Sequence, residues 1–477
     1  MPTVQERLDR RTILALAAMA ISVLVVANDF TAMSVALPTI ERDLNADLST
    51  VQWVINAYAL VFGVLIVTGG RLADMLGRRR VFVLGAGVFA GFSVLGGLAP
   101  NAVWLIACRA AMGIGGAMMW PAILGMTYAV LPEAKAGLAG GLILGAAGFG
   151  NALGPLLGGL LTDALSWRWI LFVNLPVAAF AVFVTLHAIE PDRGQERLRL
   201  DYAGVATISL GLLAALVALD QSSQWGWTDA RVVAAMATAV ALLCAFLVAE
   251  RHAGEAALVP RDVIANRNFA SACLAVLLMS AVFFATLLYL PQFMSKDLGY
   301  QPLRAGAGLL PMMATFAIVS FVAGRFYERF GPKVMVSLGA AFITAGIVLL
   351  SRLSVGDGYS ALVPGMVVLG VGIGVFYSSV TTAGVTALDP ARASLAGGIV
   401  YMFQIAGGSI GLGVNTALVA ANTTNTAAHL VSGISTAFTV DAILAAAGLI
   451  VAVLFIGGST APEVIRAHRP HLHRAHL

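Results

Sequence analysis

Polar positions along this chain fall in short clusters, and long apolar stretches run between them. A helix that crosses a bilayer needs ~20 mainly apolar residues. By that length fourteen candidate spans can be marked, at approximately 12–38, 51–71, 81–99, 103–130, 137–161, 169–189, 202–219, 232–250, 269–292, 304–327, 333–352, 359–387, 393–420 and 437–457. The longest connection, from about Arg251 to Asn268, is too short for an independent soluble domain.

The densest polar cluster, Gly70–Arg80, reads Gly70, Arg71, Asp74, Gly77, Arg78, Arg79, Arg80. It recurs 254 positions later as Gly324, Arg325, Glu328, Gly331, Pro332, Lys333. At an offset of 257, Leu131–Gly141 matches Leu388–Gly398, Gly113 and Gly115 match Gly370 and Gly372, and Gly150 and Gly154 match Gly407 and Gly411. Spans 1–6 and 9–14 therefore predict two six-helix bundles of one topology, with spans 7 and 8 inserted between them. The boundaries expected are 1–190 for the first bundle, 191–268 for the inserted pair and its linker, 269–460 for the second bundle and 461–477 for a tail. Parallel repeats of this kind belong to transporters that rock one half against the other.

Composition agrees: 59% of the 477 residues are hydrophobic and 11% are charged, against about 45–50% apolar in soluble domains. The net charge of +4 is small, and no exposed basic domain exists to carry nucleic acid. Of 28 Lys and Arg, 21 fall on one side if the N-terminus is inside. That bias predicts an even number of spans, both termini cytoplasmic, and both arginine clusters inside. Cys108, Cys244 and Cys273 are scattered without metal spacing, and the tail histidines His468, His471, His473 and His476 read as an exposed segment, so no metal is expected. The glycine runs at Gly113–Gly116 and Gly370–Gly374 lie in apolar spans without a following Lys-Ser/Thr, so they are not phosphate loops and ATP is not the energy source.

These motifs together resemble the major facilitator superfamily, and within it the fourteen-span drug:proton antiporter group (EmrB/QacA-like exporters). Gly70–Arg80 is similar to its loop 2–3 motif. Arg109, Gly113, Gly115 and Gly116 resemble the fourth-span motif, and Gly150, Gly154, Pro155, Gly158 and Gly159 the fifth-span motif of antiporters. Asn28-Asp29 with Val35–Pro38, Trp167–Pro176 and Asp201–Gly204 follow in the expected order. The resemblance implies an all-α polytopic membrane protein of the major facilitator fold and not an enzyme. It implies a proton-driven exporter of amphipathic small molecules such as drugs, antibiotics or dyes, located in the cell membrane. The partners implied are that substrate, protons and the lipid bilayer; the chain is expected to be a monomer without cofactor. Export of an endogenous metabolite, siderophore or lipid stays open, as does a non-transporting receptor or assembly role.

Candidate chemistry follows span by span. Asp29 is the carboxylate inside a span of the first bundle, ~14 Å from its outer end, and Arg109 lies ~9 Å deep from the same side, at 1.5 Å per residue. The depths permit contact. Either Asp29 takes up a proton and Arg109 senses its charge, or the two form a permanent salt bridge. The equivalent of Arg109 is Met366, so proton coupling is expected in the first bundle alone. In Gly70–Arg80, Gly70 and Gly77 permit a tight turn and Asp74 can accept hydrogen bonds from Arg78, Arg79 or a helix N-terminus. A latch on the inner gate is one reading, and a topology signal is the other. Glu328 and Pro332 make the second copy the weaker latch. Pro155 should kink span 5 beside its glycines. Asn56, Tyr58, Trp120, Phe283, Phe284, Tyr289, Tyr377 and Gln404 are candidates for a broad apolar pocket. Asp163, Asp220 and Asp441 read as water-exposed residues at outer span ends.

Overall fold

The computed structural model describes residues 9–457 apart from 47, 193, 195–200, 227, 254–256, 301 and 423–426. The tail at 461–477 lies outside the described residues, as does the side chain of Asp220. The described residues form helices and no strand. The first six-helix set is α1 (Arg10–Asp43), α2 (Leu48–Leu76), α3 (Arg78–Gly97), α4 (Ala102–Val130), α5 (Ala136–Ala164), and a last span broken into α6 (Arg168–Phe172) and α7 (Asn174–Ala188). Then come α8 (Tyr202–Trp225), α9 (Ala230–Ala253) and the short α10 (Arg261–Ala265). The second set is α11 (Arg267–Lys296), α12 (Pro302–Ala307), α13 (Leu310–Leu350), α14 (Tyr359–Thr386), α15 (Ala393–Asn422) and α16 (Ala427–Phe455).

Local chemistry sets several of these ends. Asp9, Asn101 and Asn266 accept hydrogen bonds from the amides of Thr12, Trp104 and Phe269, the side-chain caps that the open N–H groups of α1, α4 and α11 require. Gly77 turns the chain from α2 into α3 at φ 99°, and Gly331 breaks α13 at φ 79°. Both φ values lie in the left-handed region that glycine alone adopts without strain. Among the described residues twelve helices are long and apolar enough to cross a membrane. One of them, Arg304–Leu350, is two helices joined across Gly331, and Tyr202–Ala218 is a further, shorter apolar helix.

In the first set α1 packs on α5 and α7, and α4 packs on α2 and α3; in the second α11 packs on α15 and α16, and α13 on α14 and α16. The sets meet where α5 lies on α13 and α14, and where α2 and α4 lie on α15. The α8–α9 pair is attached through α8, which packs on α2 and α15 and closes the seam between the two sets. Leu84, Phe180, Phe183 and Ile443 point outward with more than half of their surface exposed, as suits side chains that face lipid rather than a core.

Candidate functional site

The polar interior of the first set centres on Asp29, which is fully buried on α1. Its Oδ2 accepts from Arg109 Nη1 of α4 at 2.5 Å, and its Oδ1 accepts from Asn174 Nδ2 of α7 at 3.0 Å. Arg109 also donates through Nε to the Val54 carbonyl at 2.9 Å, and its guanidinium lies 4.5 Å from the centre of the Tyr58 ring. Asn174 reaches on to Ser93 Oγ at 3.0 Å, and Ser93 donates to the Leu171 carbonyl. The ion pair between α1 and α4 thus receives hydrogen bonds and a ring face from α2 and α7, with α3 backing Asn174. Removing one partner of such a pair costs about 3–5 kcal/mol, because the other charge is left uncompensated.

Beside this network lies a central cavity of about 840 Å³. Pro38, Lys296 and Gly306 belong to its rim, at the end of the molecule away from Gly70–Arg80. Deeper, Phe62, Trp120 and Tyr401 pack ring on ring at centroid distances of 4.5 to 6.4 Å and form a floor drawn from both sets. Of the candidate pocket residues, Asn56, Tyr58, Trp120, Phe283, Phe284 and Gln404 line this cavity. Tyr289 and Tyr377 do not. The Tyr289 hydroxyl donates to Thr416 Oγ1 at 2.9 Å, and Tyr377 shares a 2.7 Å hydrogen bond with Ser280 behind Phe283. Both rings are held in the packing between helices, which is where an aromatic on an apolar-all-round helix goes when no groove claims it. Among the described residues the cavity wall carries no carboxylate, and its charged group is Lys296.

Below the floor the two sets are closed on each other. Asp74, buried at the end of α2, accepts from the amides of Ser394 (3.3 Å) and Leu395 (2.9 Å) at the N-terminus of α15. These are amides without a partner inside their own helix, and the local dipole favours an anion there. Arg78 bonds Asp74 at 3.3 Å and spans the seam, donating to the carbonyls of Gly125 at 3.1 Å and Pro390 at 2.6 Å. Gly70 makes the approach possible: a Cβ there would sit 2.7 Å from the Ser394 carbonyl oxygen. Arg79 turns the other way and caps the end of α7 through the carbonyls of Leu186 and Ile189. Asp192 accepts from the amides of Arg78 and Arg79, which fixes the start of α3.

The α5 glycines form a seam against α1. A side chain at Gly150 would meet the Leu24 carbonyl, at Gly154 the Thr31 hydroxyl, and at Gly158 the Ala32 backbone; Gly159 is buried on the same helix. Pro155 lines the cavity and leaves the carbonyl of Asn151 without its helical donor, and Thr31 Oγ1 supplies one at 3.3 Å. The helix that carries Asp29 is therefore packed directly on the segment around Pro155.

Of the acids expected at water-exposed span ends, one reading changes. Asp163 is exposed. Asp441 is not a water-exposed end residue: α16 begins at Ala427, so Asp441 lies ~21 Å along it, and it is fully buried. The second set therefore also holds a buried carboxylate. Asn174, the remaining partner of Asp29, and Ser93, which bonds Asn174, have no spacing or charge signature in the sequence. The one signal for Asn174 is its place within the Trp167–Pro176 motif.

A long-helix membrane protein of two matched halves around a central cavity is a transporter architecture. The family model described as Major Facilitator Superfamily matches residues 19–412, and the chain belongs to that family. It is 34% identical to the puromycin resistance protein pur8 of Streptomyces alboniger, over 91% of this chain and 86% of that protein. It is 32% identical to the cephamycin export protein CmcT of Amycolatopsis lactamdurans over 92% of each chain. The multidrug resistance protein Stp of Mycobacterium tuberculosis is also 32% identical, over 87% of this chain and 77% of that one. In fold the chain is similar to the human organic anion transporter MFSD10 (TETRAN), with a TM-score of 0.66 at 14% identity, covering 91% of this chain and 99% of the other.

Proposed function

We propose that this protein is a proton-coupled antiporter that exports amphipathic small molecules across the cytoplasmic membrane, and that it belongs to the fourteen-span branch of its family. The likeness to pur8, Stp and CmcT supports export of drug-like compounds. The break of α13 at Gly331 and the apolar helix Tyr202–Ala218 support the fourteen-span assignment. The Gly70–Arg80 end is read as cytoplasmic from its arginines, so the open cavity faces outward and the Asp74–Arg78 contacts act as the inner latch. Its aromatic wall, free of carboxylates among the described residues, suits neutral or singly charged planar substrates.

One observation carries the coupling: Tyr58 lines the cavity and lies under the guanidinium that pairs with Asp29. A proton arriving from outside neutralises Asp29 and releases Arg109 from its ion pair. The guanidinium then settles further onto Tyr58 and the Val54 carbonyl, and the cavity wall changes with it. Substrate and proton thereby compete through one side chain. The α1–α5 glycine seam lets α1 shift against Pro155 without opening a leak.

Reconstitution in proteoliposomes tests this with puromycin as the probe. An imposed pH gradient is expected to drive puromycin accumulation in the wild type, and Asp29→Asn to lower it by at least about tenfold, the equivalent of ~1.4 kcal/mol, while tryptophan quenching still reports binding. Gradient-independent transport, or an Asp29→Asn variant that transports as the wild type does, would overturn the assignment. Export of an endogenous metabolite, siderophore or lipid is the second reading, and the likeness to a protein named for cephamycin export fits a transporter dedicated to one compound.

A further inference from the structure

Among the described residues the second set contains a buried carboxylate with no cation beside it. Asp441 on α16 is 0% exposed. Its Oδ1 accepts from Asn415 Nδ2 of α15 at 2.9 Å, and its Oδ2 meets no donor. The amide is engaged elsewhere too, because Asn415 Nδ2 also donates to the Gly411 carbonyl at 2.9 Å. Asn415 Oδ1, like Asp441 Oδ2, has no donor. Two acceptor oxygens are thus buried together without a hydrogen to satisfy either. A neutral carboxyl brings one, since its O–H donates where a carboxylate can only accept.

The surroundings offer an anion little. Three helices pack on α16: α11, α13 and α15. On α15 the titratable side chain is Tyr401, toward the opposite end of the helix from Asn415. The charged residues of α11, Arg267 and Lys296, stand at its two ends, and those of α13, Arg325, Glu328, Arg329 and Lys333, cluster about its break at Gly331. The titratable group that faces Asp441 is Tyr289 of α11. Its hydroxyl is hydrogen-bonded to Thr416, the residue after Asn415. A lone ionised carboxylate in apolar surroundings gives up its charge by taking a proton.

We infer that Asp441, held by Asn415, is a proton-binding site of the C-terminal bundle and carries its proton on Oδ2 in the conformation seen here. Uptake transfers a proton from hydronium to Oδ2 and leaves water; release returns it when α11, α15 and α16 part enough to admit water. Leu288, the residue before Tyr289, and Leu412, one turn before Thr416, line the cavity. The Tyr289–Thr416 hydroxyl pair therefore joins the cavity wall to the surroundings of Asp441. The site also marks where the repeat departs from itself. Gly407 and Gly411 pack on α11 as Gly150 and Gly154 pack on α1, but Asn415 stands in the position of Gly158. This site is independent of whether Asp29 couples transport.

The test uses the full chain in lipid nanodiscs. Infrared spectra in H2O and D2O read the C=O stretch of protonated carboxyls in the wild type, Asp29→Asn and Asp441→Asn. At neutral pH one carboxyl band is expected to vanish in Asp441→Asn and to persist in Asp29→Asn. Thermal unfolding against pH is the second readout. As pH rises above the ordinary carboxylate range the unfolded chain ionises this carboxyl while the folded chain keeps its proton, so the wild type loses stability and Asp441→Asn should match it in acid and melt increasingly above it toward neutral pH. A band unchanged in Asp441→Asn, or a melting difference that runs the other way with pH, would overturn the inference. Should Asp441→Asn fail to fold, Asn415→Ser removes the hydrogen bond to Oδ1 and must shift the band; an unshifted band refutes the site. Neither readout depends on transport, so a failed Asp29 experiment and a failed Asp441 experiment are separate results.

Discussion

At the closed end of the molecule, α2 and α13 each bring an acid to the first turn of a helix from the opposite set. Asp74 accepts from the Leu395 amide, and Glu328 accepts from the amide of Leu138, the residue that matches Leu395 in the repeat. Gly70 lies on Ser394 and Leu395 as Gly324 lies on Gly137 and Leu138. Gly77 and Gly331 turn the chain at φ 99° and 79°. The shapes are nearly the same, and the charges are not. Arg78 ties Asp74 to carbonyls on both sides of the seam, whereas Pro332 stands at the equivalent position and has neither a side-chain donor nor an amide hydrogen. Glu328 leaves Oε1 without a partner. The glycines and the acid that let two helices dock stand in both copies, and among the described residues the arginine seen bridging the seam belongs to the first.

The largest effect expected at this end is that of Asp74→Asn. Hydrogen bonds to a charged group contribute roughly 1.5–3 kcal/mol each, and the neutral amide keeps only part of three such contacts while leaving Arg78 uncompensated. A shift of about 2–3 kcal/mol toward the state with this end open is expected, roughly thirtyfold to somewhat over a hundredfold in population. Spin labels at Arg80→Cys and Arg329→Cys, both exposed and on opposite sets, would report it in a Cys244→Ser background. An unchanged distance distribution would remove the latch role.

Gly77→Ala comes next. A left-handed conformation costs an L-residue about 1–2 kcal/mol, and a Cβ at Gly77 would also sit 2.8 Å from the Asp192 carbonyl oxygen. Gly331→Ala meets the same backbone strain. Thermal unfolding should therefore show both variants destabilised and Gly77→Ala the more so; the reverse order would mean that the two turns are not equivalent.

Much of this was legible in the sequence because it repeats. The offsets of 254 and 257 aligned the two acids and the glycines, and depth along the helices placed Asp29 and Arg109 together. What stayed hidden has no one-dimensional signature. The partners of Asp74 and Glu328 are backbone amides at helix starts, which any residue supplies. Asn174 and Ser93 are neutral groups in apolar helices, and no periodicity says which face they take. Tyr289 and Tyr377 lie on helices that are apolar all round, so nothing separated a cavity-facing ring from a packed one. Asp441 was misjudged through a helix boundary: α16 starts about ten residues before the apolar run does, which carries the carboxylate from a presumed water-facing end into the packed interior.

The smallest effect should be that of Glu328→Gln. The amide oxygen of glutamine still accepts from Leu138, the charge lost is one felt by Lys135 and Arg325 rather than by Arg78, and the unpartnered Oε1 becomes an NH2 that can donate. The change should be at most about 1 kcal/mol, the size of a neutral hydrogen bond, and transport should fall less than about fivefold. Measured with the same spin-label pair, it gives the contrast with Asp74→Asn directly. If Glu328→Gln opened this end as far as Asp74→Asn does, Arg78 would not be the source of the asymmetry. The two acid-to-helix contacts would then have to be equal halves of one gate.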